Sequence, residues 1–391
     1  MFTMIYVNLL SGAGSIVPDW MVHFSERHAS GSGMTFVDLV FPAFLFIAGM
    51  SIPFALRTRV AEQSPWKSLG HIFQRTLALL FIGVLMVNES PDSSKLGWSA
   101  ALWSALMYFS AIVAFAEFNP NRKANGSSQL WSKISLALRL TGVASLVALA
   151  FAFVGSDGHR IITLSPFSLH HEWWGILGLI GWAYLVASLV YLLFRGERLA
   201  LLGSMALLIG LFVADRSGTF NGLWFAAHVS FGETLGSQAA ITVGGTLLGS
   251  MLLAPEMSLP RARIRFTLWF IAGTAAGALL LNGLYGISKN SATPSWCLWA
   301  CAVSAALWLL LYFVVDLRPQ KFIAKPLVAA GQNVLLAYLL SEMLPSLLSL
   351  AHFEGSADTS LAVAIARSAG ISVALVSLTI ALNHSGFRVK L

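Results

Sequence analysis

Apolar runs of about 20 residues recur along the whole chain, and they constrain the fold more than any other feature of the sequence. A helix of that length crosses the roughly 30 Å of hydrocarbon in a bilayer. We place such segments at residues 35–56, 71–88, 97–117, 134–154, 173–194, 198–214, 235–254, 265–285, 296–315, 327–350 and 361–383, with a shorter one at 1–14. The pattern predicts an all-α fold, a polytopic membrane bundle of about 10–12 transmembrane helices.

The composition supports this interpretation, because 57% of the 391 residues are hydrophobic and only 10% are charged. A soluble domain carries about 25% charged residues. No polar segment is long enough to fold alone, so we predict a single integral-membrane domain over residues 1–391 in a lipid bilayer. The bases behind the net charge of +7 lie in short loops between apolar segments, and they therefore do not indicate a nucleic acid partner.

Lysine and arginine divide unevenly between the two sets of loops. The loop after segment 35–56 and every second one thereafter, ending with the C-terminus, carry sixteen bases, whereas the opposite set carries five: Arg27, Lys95, Arg160, Arg216 and Lys289. Cytoplasmic loops are enriched in such bases. The division predicts that both termini are cytoplasmic and that the loop beginning at His23 lies outside.

A polar loop with two histidines runs directly into an apolar segment that carries a carboxylate, in the stretch HFSERHASGSGMTFVDLVFPAFLFIAGMSIP, which begins at His23. A carboxylate inside a membrane segment is costly, so we expect Asp38 to be functional and to have a partner within the bundle. An imidazole that a carboxylate orients can act as a general base, and His23 and His28 are the candidates. The alternative is that both histidines are solvated and that Asp38 bonds to free backbone N–H groups at a helix start.

Two further sets of residues are candidates for function. Asn8 lies at the outer end of the first segment, where its amide can either donate to a developing oxyanion or cap the helix. Arginine and lysine at the inner membrane face suit a ligand that bears phosphate, although they also serve as positive-inside anchors. These candidate phosphate ligands are Arg57, Arg59, Lys67 and Arg75.

Signatures of several soluble catalytic sites are absent from the sequence. It contains no HExxH, no CxxC, no GxSxG and no glycine-rich phosphate loop with a lysine. The neighbouring His170 and His171 point apart on any regular element and make a poor metal pair. Cys297 and Cys301 lie four residues apart in an apolar segment, where a disulfide between adjacent helical turns is not expected. We therefore predict no metal.

At MTFVDLVFPAFLFIAGMSIPFAL, residues 34–56, the chain resembles the transmembrane acetyltransferase family that includes heparan-α-glucosaminide N-acetyltransferase and its bacterial relatives. Further matching pieces extend over most of the chain. They are MIYVN at 4–8, WMVH at 20–23, LWSALMYFSAIVAF at 102–115, WWGILGLIGWAYL at 173–185 and PLVAAGQNVLLAYLL at 326–340.

The resemblance implies an activity and a site. Proteins of this family move an acetyl group from cytosolic acetyl-CoA to an amino sugar across the membrane, using an outer-loop histidine and an asparagine at the end of the preceding helix. Asn8 of the VN pair matches that asparagine, and Asp38 matches the family's aspartate. The resemblance also implies a bacterial inner-membrane location, an amino-sugar or cell-envelope glycan acceptor, and a homodimer.

The histidine of the motif can be aligned in two ways. The Trp-x-x-His pattern gives His23, which we prefer, whereas His-Ala followed by Asp38 gives His28. The His-Ala-Pro-Trp form of the family motif is replaced here by His28-Ala29-Ser30-Gly31, and this leaves the acceptor open. The charged opening of the family's first helix is also missing, so we expect either an incomplete first helix or an upstream start.

Two other functions remain open at this point. Asp38, Glu342 and Arg367 are ionisable residues within apolar segments, and transporters place such groups along substrate paths. However, no inverted repeat is visible in the sequence. A membrane scaffold that keeps the fold without activity is the third possibility.

Overall fold

The computed structural model describes residues 1–28, 31–62, 64–118, 128–165, 167–318, 321–353 and 358–390. Within these ranges the chain is dominated by helices, because long apolar segments satisfy all their backbone hydrogen bonds internally only as helices or closed barrels. The α-helices are α1 (Phe2–Ser11), α2 (Phe24–Arg27), α3 (Val40–Glu62), α4 (Pro65–Val87), α5 (Ser93–Leu96), α6 (Ala100–Ala114), α7 (Ser128–Ala152), α8 (Gly175–Phe194), α9 (Arg198–Arg216), α10 (Ala239–Leu253), α11 (Pro260–Tyr285), α12 (Pro294–Leu311), α13 (Lys321–Gly331), α14 (Val334–Leu350) and α15 (Leu361–His384).

Two pairs of short antiparallel strands complete the regular structure of the described residues. Strand β1 (Ala116–Phe118) pairs with β4 (Phe387–Val389), with Glu117 opposite Arg388, and β2 (Ile162–Leu164) pairs with β3 (Phe167–Leu169). Neither pair extends into a larger sheet.

Among the described residues, eight helices are long and apolar enough to cross a membrane. Three shorter apolar helices accompany them: Phe2–Ser11, Ala100–Ala114 and Val334–Leu350. Each of the twelve apolar segments in the sequence contains or overlaps a helix. The predicted all-α, polytopic membrane fold is confirmed, and the protein is a multi-pass membrane protein.

The segment at 327–350, expected to be one helix, is divided between α13 and α14 at Gln332 and Asn333. The side chain of Asn333 is the reason, because it bonds to strand β4 instead of facing lipid. Its Nδ2 donates to the carbonyl oxygen of Phe387 at 3.0 Å, and its Oδ1 accepts from the backbone N of Val389 at 3.0 Å. A polar residue within an apolar run is thus satisfied by a break in the helix.

The chain forms two compact units. Unit one comprises Met1–Val17, Phe81–Gly175 and Lys321–Leu391, and unit two comprises Pro18–Leu80 and Ile176–Gln320. In unit one, α6 packs against α7 and α14, and α1 packs against α15. The single domain expected over residues 1–391 stays a prediction.

In unit two, α3 and α10 pack closely because glycines lie where they cross. A methyl group at Gly245 would overlap the carbonyl oxygen of Phe46, and one at Gly49 would overlap the carbonyl oxygen of Thr242. Thr246 Oγ1 lies 3.2 Å from the carbonyl oxygen of Gly49 and can donate to it. Small residues commonly let membrane helices approach in this way. Helix α10 is buried along nearly its whole length, so it provides a fixed surface for α3.

Candidate functional site

The segment ahead of α3 folds into short turns that bring His23 back to the start of that helix. A 3-10 turn at Asp19–Met21 precedes His23, which has an extended backbone and stands immediately before α2. A second 3-10 turn, Val37–Leu39, leads into α3 and carries Asp38. All of these residues belong to unit two.

Asp38 is the centre of this arrangement. It is 2% exposed, and its Oδ1 lies 2.7 Å from Nδ1 of His23. Its Oδ2 accepts hydrogen bonds from the backbone N–H groups of Phe24 and Thr35, both at 3.0 Å. A buried carboxylate is stable only when its oxygens are bonded, and here each oxygen has a donor. The partner expected for Asp38 within the bundle is therefore His23.

The bond to Asp38 determines which nitrogen of His23 is available for chemistry. The carboxylate can only accept, so Nδ1 carries the proton and Nε2 is left with a free electron pair. The side chain of His23 is 27% exposed, whereas that of Asp38 is 3% exposed. The ring thus links a buried carboxylate to an accessible surface, which is the arrangement that a general base requires.

Lys289 is a third member of the site. Its Nζ lies 3.2 Å from Nδ1 and 3.3 Å from Nε2 of His23, so its ammonium can donate to the free nitrogen. The loop that carries Lys289 is held in place by Gly33 N, which donates to the carbonyl oxygen of Ile287 at 2.9 Å, and by Ile287 N, which donates to Ser32 Oγ at 2.7 Å.

The charge state of Lys289 is also altered. Burial lowers the pKa of its ammonium from the ordinary value of 10.5, and the negative charges of Asp38 and Glu26 oppose this shift. The site therefore holds a lysine that loses its proton more readily than one in water, next to an imidazole. Sequence reasoning did not select Lys289. The signal that could have found it is its place among the five bases of the outer loops.

His28 is placed differently from His23. It is exposed at the end of α2, and its ring lies 4.7 Å from the ring of Phe24, centroid to centroid. Within the described part of the chain, no carboxylate hydrogen bonds to its side chain. The structure thus pairs Asp38 with His23 and not with His28, while the catalytic role of either histidine stays a prediction. Ala29 and Ser30 of the sequence motif lie outside the described residues.

Asn8 belongs to unit one, on the last turn of α1. Its side chain is exposed at this turn, and its Nδ2 donates to Oε1 of Glu342 at 3.2 Å. The sequence left open the alternative that the Asn8 amide caps α1. In the structure this amide instead contacts α14, through its hydrogen bond to Glu342. The oxyanion role expected for Asn8 stays a prediction.

The four candidate phosphate ligands lie on α3 and α4 in unit two. Arg57 and Lys67 are exposed, whereas Arg59 and Arg75 are half-buried. The guanidinium carbon of Arg75 lies 4.7 Å above the centre of the Tyr184 ring, a cation–π contact. Its Nε is buried without a hydrogen bond from any described residue. Arg75 therefore has a donor that a phosphate oxygen could use.

The described residues contain no group of three or more His, Cys, Asp or Glu side chains that could hold a metal ion. Cys297 and Cys301 are buried and free, and Cys297 Sγ lies 3.0 Å from the carbonyl oxygen of Ser237. Neither cysteine contributes to the His23 site.

Comparison with known proteins gives two kinds of match. Residues 2–231, which include His23 and Asp38 but not Lys289, match a family described as Domain of unknown function (DUF5009). The chain is also similar to heparan-alpha-glucosaminide N-acetyltransferase of Homo sapiens, with 40% identity over 74 residues, and to that of Mus musculus, with 42% identity over 74 residues. Each similarity covers 18% of this chain and 11% of the relative. Since the family match covers more than half of its length, the chain belongs to the DUF5009 family.

Proposed function

We propose that this protein is a membrane acetyltransferase that transfers the acetyl group of acetyl-CoA to an amine or hydroxyl of a sugar, with His23 as general base. The observation that carries the proposal is the 2.7 Å contact between His23 Nδ1 and the buried carboxylate of Asp38, on the segment that leads into α3. The similarity to two N-acetyltransferases supports the reaction class.

In this reaction His23 Nε2 takes a proton from the acceptor amine or hydroxyl as a bond forms between that acceptor atom and the acetyl carbon. The carbon–sulfur bond of the thioester breaks, and the sulfur leaves as a thiolate that then takes up a proton. Asp38 keeps the ring in the tautomer that can accept, and its negative charge stabilises the imidazolium that results. A covalent acetyl-histidine route is a lesser variant of the same proposal.

Lys289 has a role that follows from its position. Its ammonium lies 3.2 Å from Nδ1 and 3.3 Å from Nε2 of His23, so it contacts the edge of the ring and limits how the ring can turn. The same ammonium supplies hydrogen-bond donors in a partly desolvated environment, where such donors stabilise developing negative charge more than they do in water. Lys289 thus acts as a positioning residue through His23.

Acetyl-CoA supplies an acetyl group activated as a thioester, and its phosphates need cationic partners. Arg75 fits this need, because its Nε has no partner among the described residues and its guanidinium is held on Tyr184. Arg57, Arg59 and Lys67 add positive charge on the same two helices, α3 and α4. The distribution of bases in the loops supports cytoplasmic entry for the phosphates.

The remaining features of the proposal follow from the family resemblance and the loop charges. We place the protein in a bacterial inner membrane, with both termini in the cytoplasm and the His23 loop outside. The acceptor is an amino sugar or a cell-envelope glycan, and the protein forms a homodimer. Asn8 donates to the oxyanion that develops on the acetyl carbonyl.

The test is acetyl transfer in inverted membrane vesicles. Acetyl-CoA with a radiolabelled acetyl group is added outside, at the cytoplasmic face, and glucosamine is loaded inside. Wild type should label the enclosed glucosamine, His23→Ala should lose about 10²- to 10⁴-fold in rate, and His28→Ala should retain the wild-type rate. Asn8→Ala in the same assay tests the oxyanion role.

Two outcomes would contradict the proposal. One is full activity in His23→Ala, which would remove the general base. The other is a wild-type protein that neither transfers acetyl to any amino sugar nor binds acetyl-CoA. Movement of solute without acetyl-CoA would then favour a transporter, whereas an absence of both activities would favour a membrane scaffold.

A further inference from the structure

A cavity at the C-terminal end of α15 is not used by the proposed reaction. Its volume is about 550 Å³, and residues of α13, α15 and strand β4, all in unit one, line it. Pockets that bind small molecules have about this size. Because α15 is long and apolar enough to cross a membrane, a cavity at its end lies near the boundary between hydrocarbon and headgroups. We refer to it as the α15 cavity.

Arg388, on β4, is fixed at this cavity through the backbone on both sides of it. Asn333 Nδ2 donates to the carbonyl oxygen of Phe387, and Val389 N donates to Asn333 Oδ1, both at 3.0 Å. Phe387 and Val389 are the two neighbours of Arg388 in the chain. The break between α13 and α14, where Asn333 lies, therefore holds an arginine at the end of α15.

The guanidinium of Arg388 is also oriented by hydrogen bonds. Its Nε donates to Oδ1 of Asn383 at 2.8 Å, and its Nη2 donates to Oε1 of Gln332 at 3.4 Å. Asn383 Nδ2 in turn donates to the same Gln332 oxygen at 2.9 Å. Nη1 of Arg388 has no hydrogen bond to a described residue. The network thus leaves one end of a fixed guanidinium available to a ligand.

The polar groups that remain available at the cavity are hydrogen-bond donors. Both polar atoms of the Asn383 side chain are engaged in the network, and Gln332 Oε1 accepts twice, which leaves Gln332 Nε2 as a donor. Lys325 and His384 also line the cavity and add an ammonium and an imidazole. None of the described residues that line it is an aspartate or a glutamate. A set of donors without carboxylates favours an anion as the ligand.

The two cations at the cavity have no carboxylate partner in the described part of the chain. None of the ion pairs there includes Lys325 or Arg388. Glu117 lies opposite Arg388 in the pairing of β1 with β4, but its carboxylate bonds to Lys390 at 2.6 Å. Lysine and arginine are both charged at neutral pH. An anionic ligand would therefore balance two positive charges.

The carbonyl groups at the end of α15 are already bonded. Free carbonyls at a helix C-terminus carry partial negative charge, which repels anions. Here Ser385 N donates to the carbonyl oxygen of Ala381 at 3.0 Å, and Ser385 Oγ donates to that of Leu382 at 2.8 Å. Gly386 N donates to the carbonyl oxygen of Asn383 at 3.2 Å. These bonds reduce the repulsion that an anion would meet beside the helix end.

The cavity also has an apolar wall, and this favours a lipid over a free anion. Val328 and Ala329 line it next to the donors, and the Val328 side chain is 57% exposed. A phosphate ester offers oxygens that accept from arginine and lysine. The glycerol and first acyl carbons of a phospholipid can cover an apolar wall, whereas inorganic phosphate cannot. Basic pockets at a membrane boundary commonly bind lipid headgroups.

We propose that the α15 cavity binds the phosphate headgroup of an anionic glycerophospholipid. Arg388 Nη1 and Lys325 Nζ bond to phosphate oxygens, while Gln332 and His384 donate to the remaining oxygens of the headgroup. The glycerol packs against Val328. This inference concerns lipid binding alone and does not depend on acetyl transfer.

The test is lipid binding to the full-length protein in an uncharged detergent, measured by native mass spectrometry. The probes are dioctanoyl phosphatidylglycerol and dioctanoyl phosphatidylcholine, which share their chains and phosphodiester, but only the first has a net negative charge. We expect phosphatidylglycerol to bind at least about fivefold more tightly. Lys325→Gln and Arg388→Gln should each weaken its binding by about five- to tenfold. Inorganic phosphate and acetyl-CoA, added in turn as competitors at equal concentration, should not displace it.

Lys133 provides a matched control. It is an exposed lysine of unit one, near the start of another helix that is long enough to cross a membrane. Lys133→Gln removes the same charge as Lys325→Gln and should leave the binding of phosphatidylglycerol unchanged. An equal loss of affinity in both lysine variants would overturn the proposal, because it would show that general surface charge attracts the lipid.

Three other results would also overturn the proposal. They are equal binding of the two lipids, wild-type affinity in both cavity variants, and displacement of the lipid by inorganic phosphate or acetyl-CoA, which would assign the cavity to a soluble phosphate. If Arg388→Gln fails to fold, Lys325→Gln decides the question. Lys325 is exposed, and its side chain has no hydrogen bond to a described residue, so its replacement should not disturb the fold.

Discussion

The carboxylate of Asp38 and the imidazole of His23 form a pair with a buried end and an accessible end. Oδ1 lies 2.7 Å from Nδ1 across 15 residues of sequence, and the side chains are 3% and 27% exposed, respectively. Water reaches the ring but hardly reaches the carboxylate. The orientation of His23 therefore depends on its hydrogen bond to Asp38, which water hardly disrupts because the carboxylate is buried.

Asp38→Asn should reduce both stability and activity. The amide that replaces one carboxylate oxygen presents N–H groups where the structure needs an acceptor for His23 or for the backbone N–H groups of Phe24 and Thr35. Leaving one buried donor without an acceptor costs about 1–3 kcal/mol. Thermal unfolding in detergent should show the loss, and the vesicle assay should show reduced transfer. An unchanged unfolding midpoint and rate would contradict the central position of Asp38.

Replacing Lys289 should lower the rate of acetyl transfer. Lys289→Met removes an ammonium whose Nζ lies 3.2 Å from Nδ1 and 3.3 Å from Nε2 of His23, so the ring loses a contact that limits how it can turn. Lys289→Arg keeps a positive charge and hydrogen-bond donors, and it should restore most of the rate. Equal rates of wild type and Lys289→Met in the vesicle assay would show that Lys289 does not act through His23.

Lys289 should also make stability depend on pH in a definite direction. Its folded pKa lies below the ordinary value of 10.5, so between these two values the unfolded chain binds more protons than the folded one. Stability contributed by this residue is therefore lowest below the folded pKa and rises as pH increases toward 10.5. The difference in unfolding midpoint between wild type and Lys289→Met should become more favourable to wild type over this window. A constant difference would contradict the burial of the ammonium.

Hydropathy located the apolar helices of this protein, but it could not locate the short helices α2 and α5 or the contacts of the site. Each apolar segment has a helix because bilayer length and backbone satisfaction leave few alternatives. The choice between His23 and His28 depends on how a short loop folds, and neither spacing nor composition determines that. Lys289 stands 266 residues from His23, so no local pattern links them. The break at Asn333 was also missed, because its cause is a contact with strand β4.

Substitution at the α3–α10 crossing should destabilise unit two. Gly245→Leu forces a side chain into the carbonyl oxygen of Phe46, and overpacking of this kind costs about 1–3 kcal/mol or more. Gly210→Ala is the matched control, because a methyl group there meets no atom within 4 Å and alanine suits a helix better than glycine. Thermal unfolding in detergent should show a lower midpoint for the first variant only. Equal midpoints would contradict the close approach.

Arg75 should contribute to the binding of acetyl-CoA. Arg75→Gln removes the cation and the free Nε donor, and we expect about a tenfold rise in the Kd for acetyl-CoA, which corresponds to about 1.4 kcal/mol. Arg261→Gln, which changes an exposed arginine outside the predicted set, should bind as wild type does. Titration calorimetry on both variants provides the comparison. Equal affinities of wild type and Arg75→Gln for acetyl-CoA would show that Arg75 does not bind its phosphates.

The glycine crossing has a consequence for motion as well as for stability. Because each helix has its glycine against the other's backbone, α3 cannot slide along or roll over α10 without separating from it. The two helices therefore travel as one rigid body in any conformational cycle. Asp38, in the turn immediately before α3, therefore keeps its position relative to α10. Any movement that opens or closes the site has to occur in the connecting segments that carry His23 and Lys289.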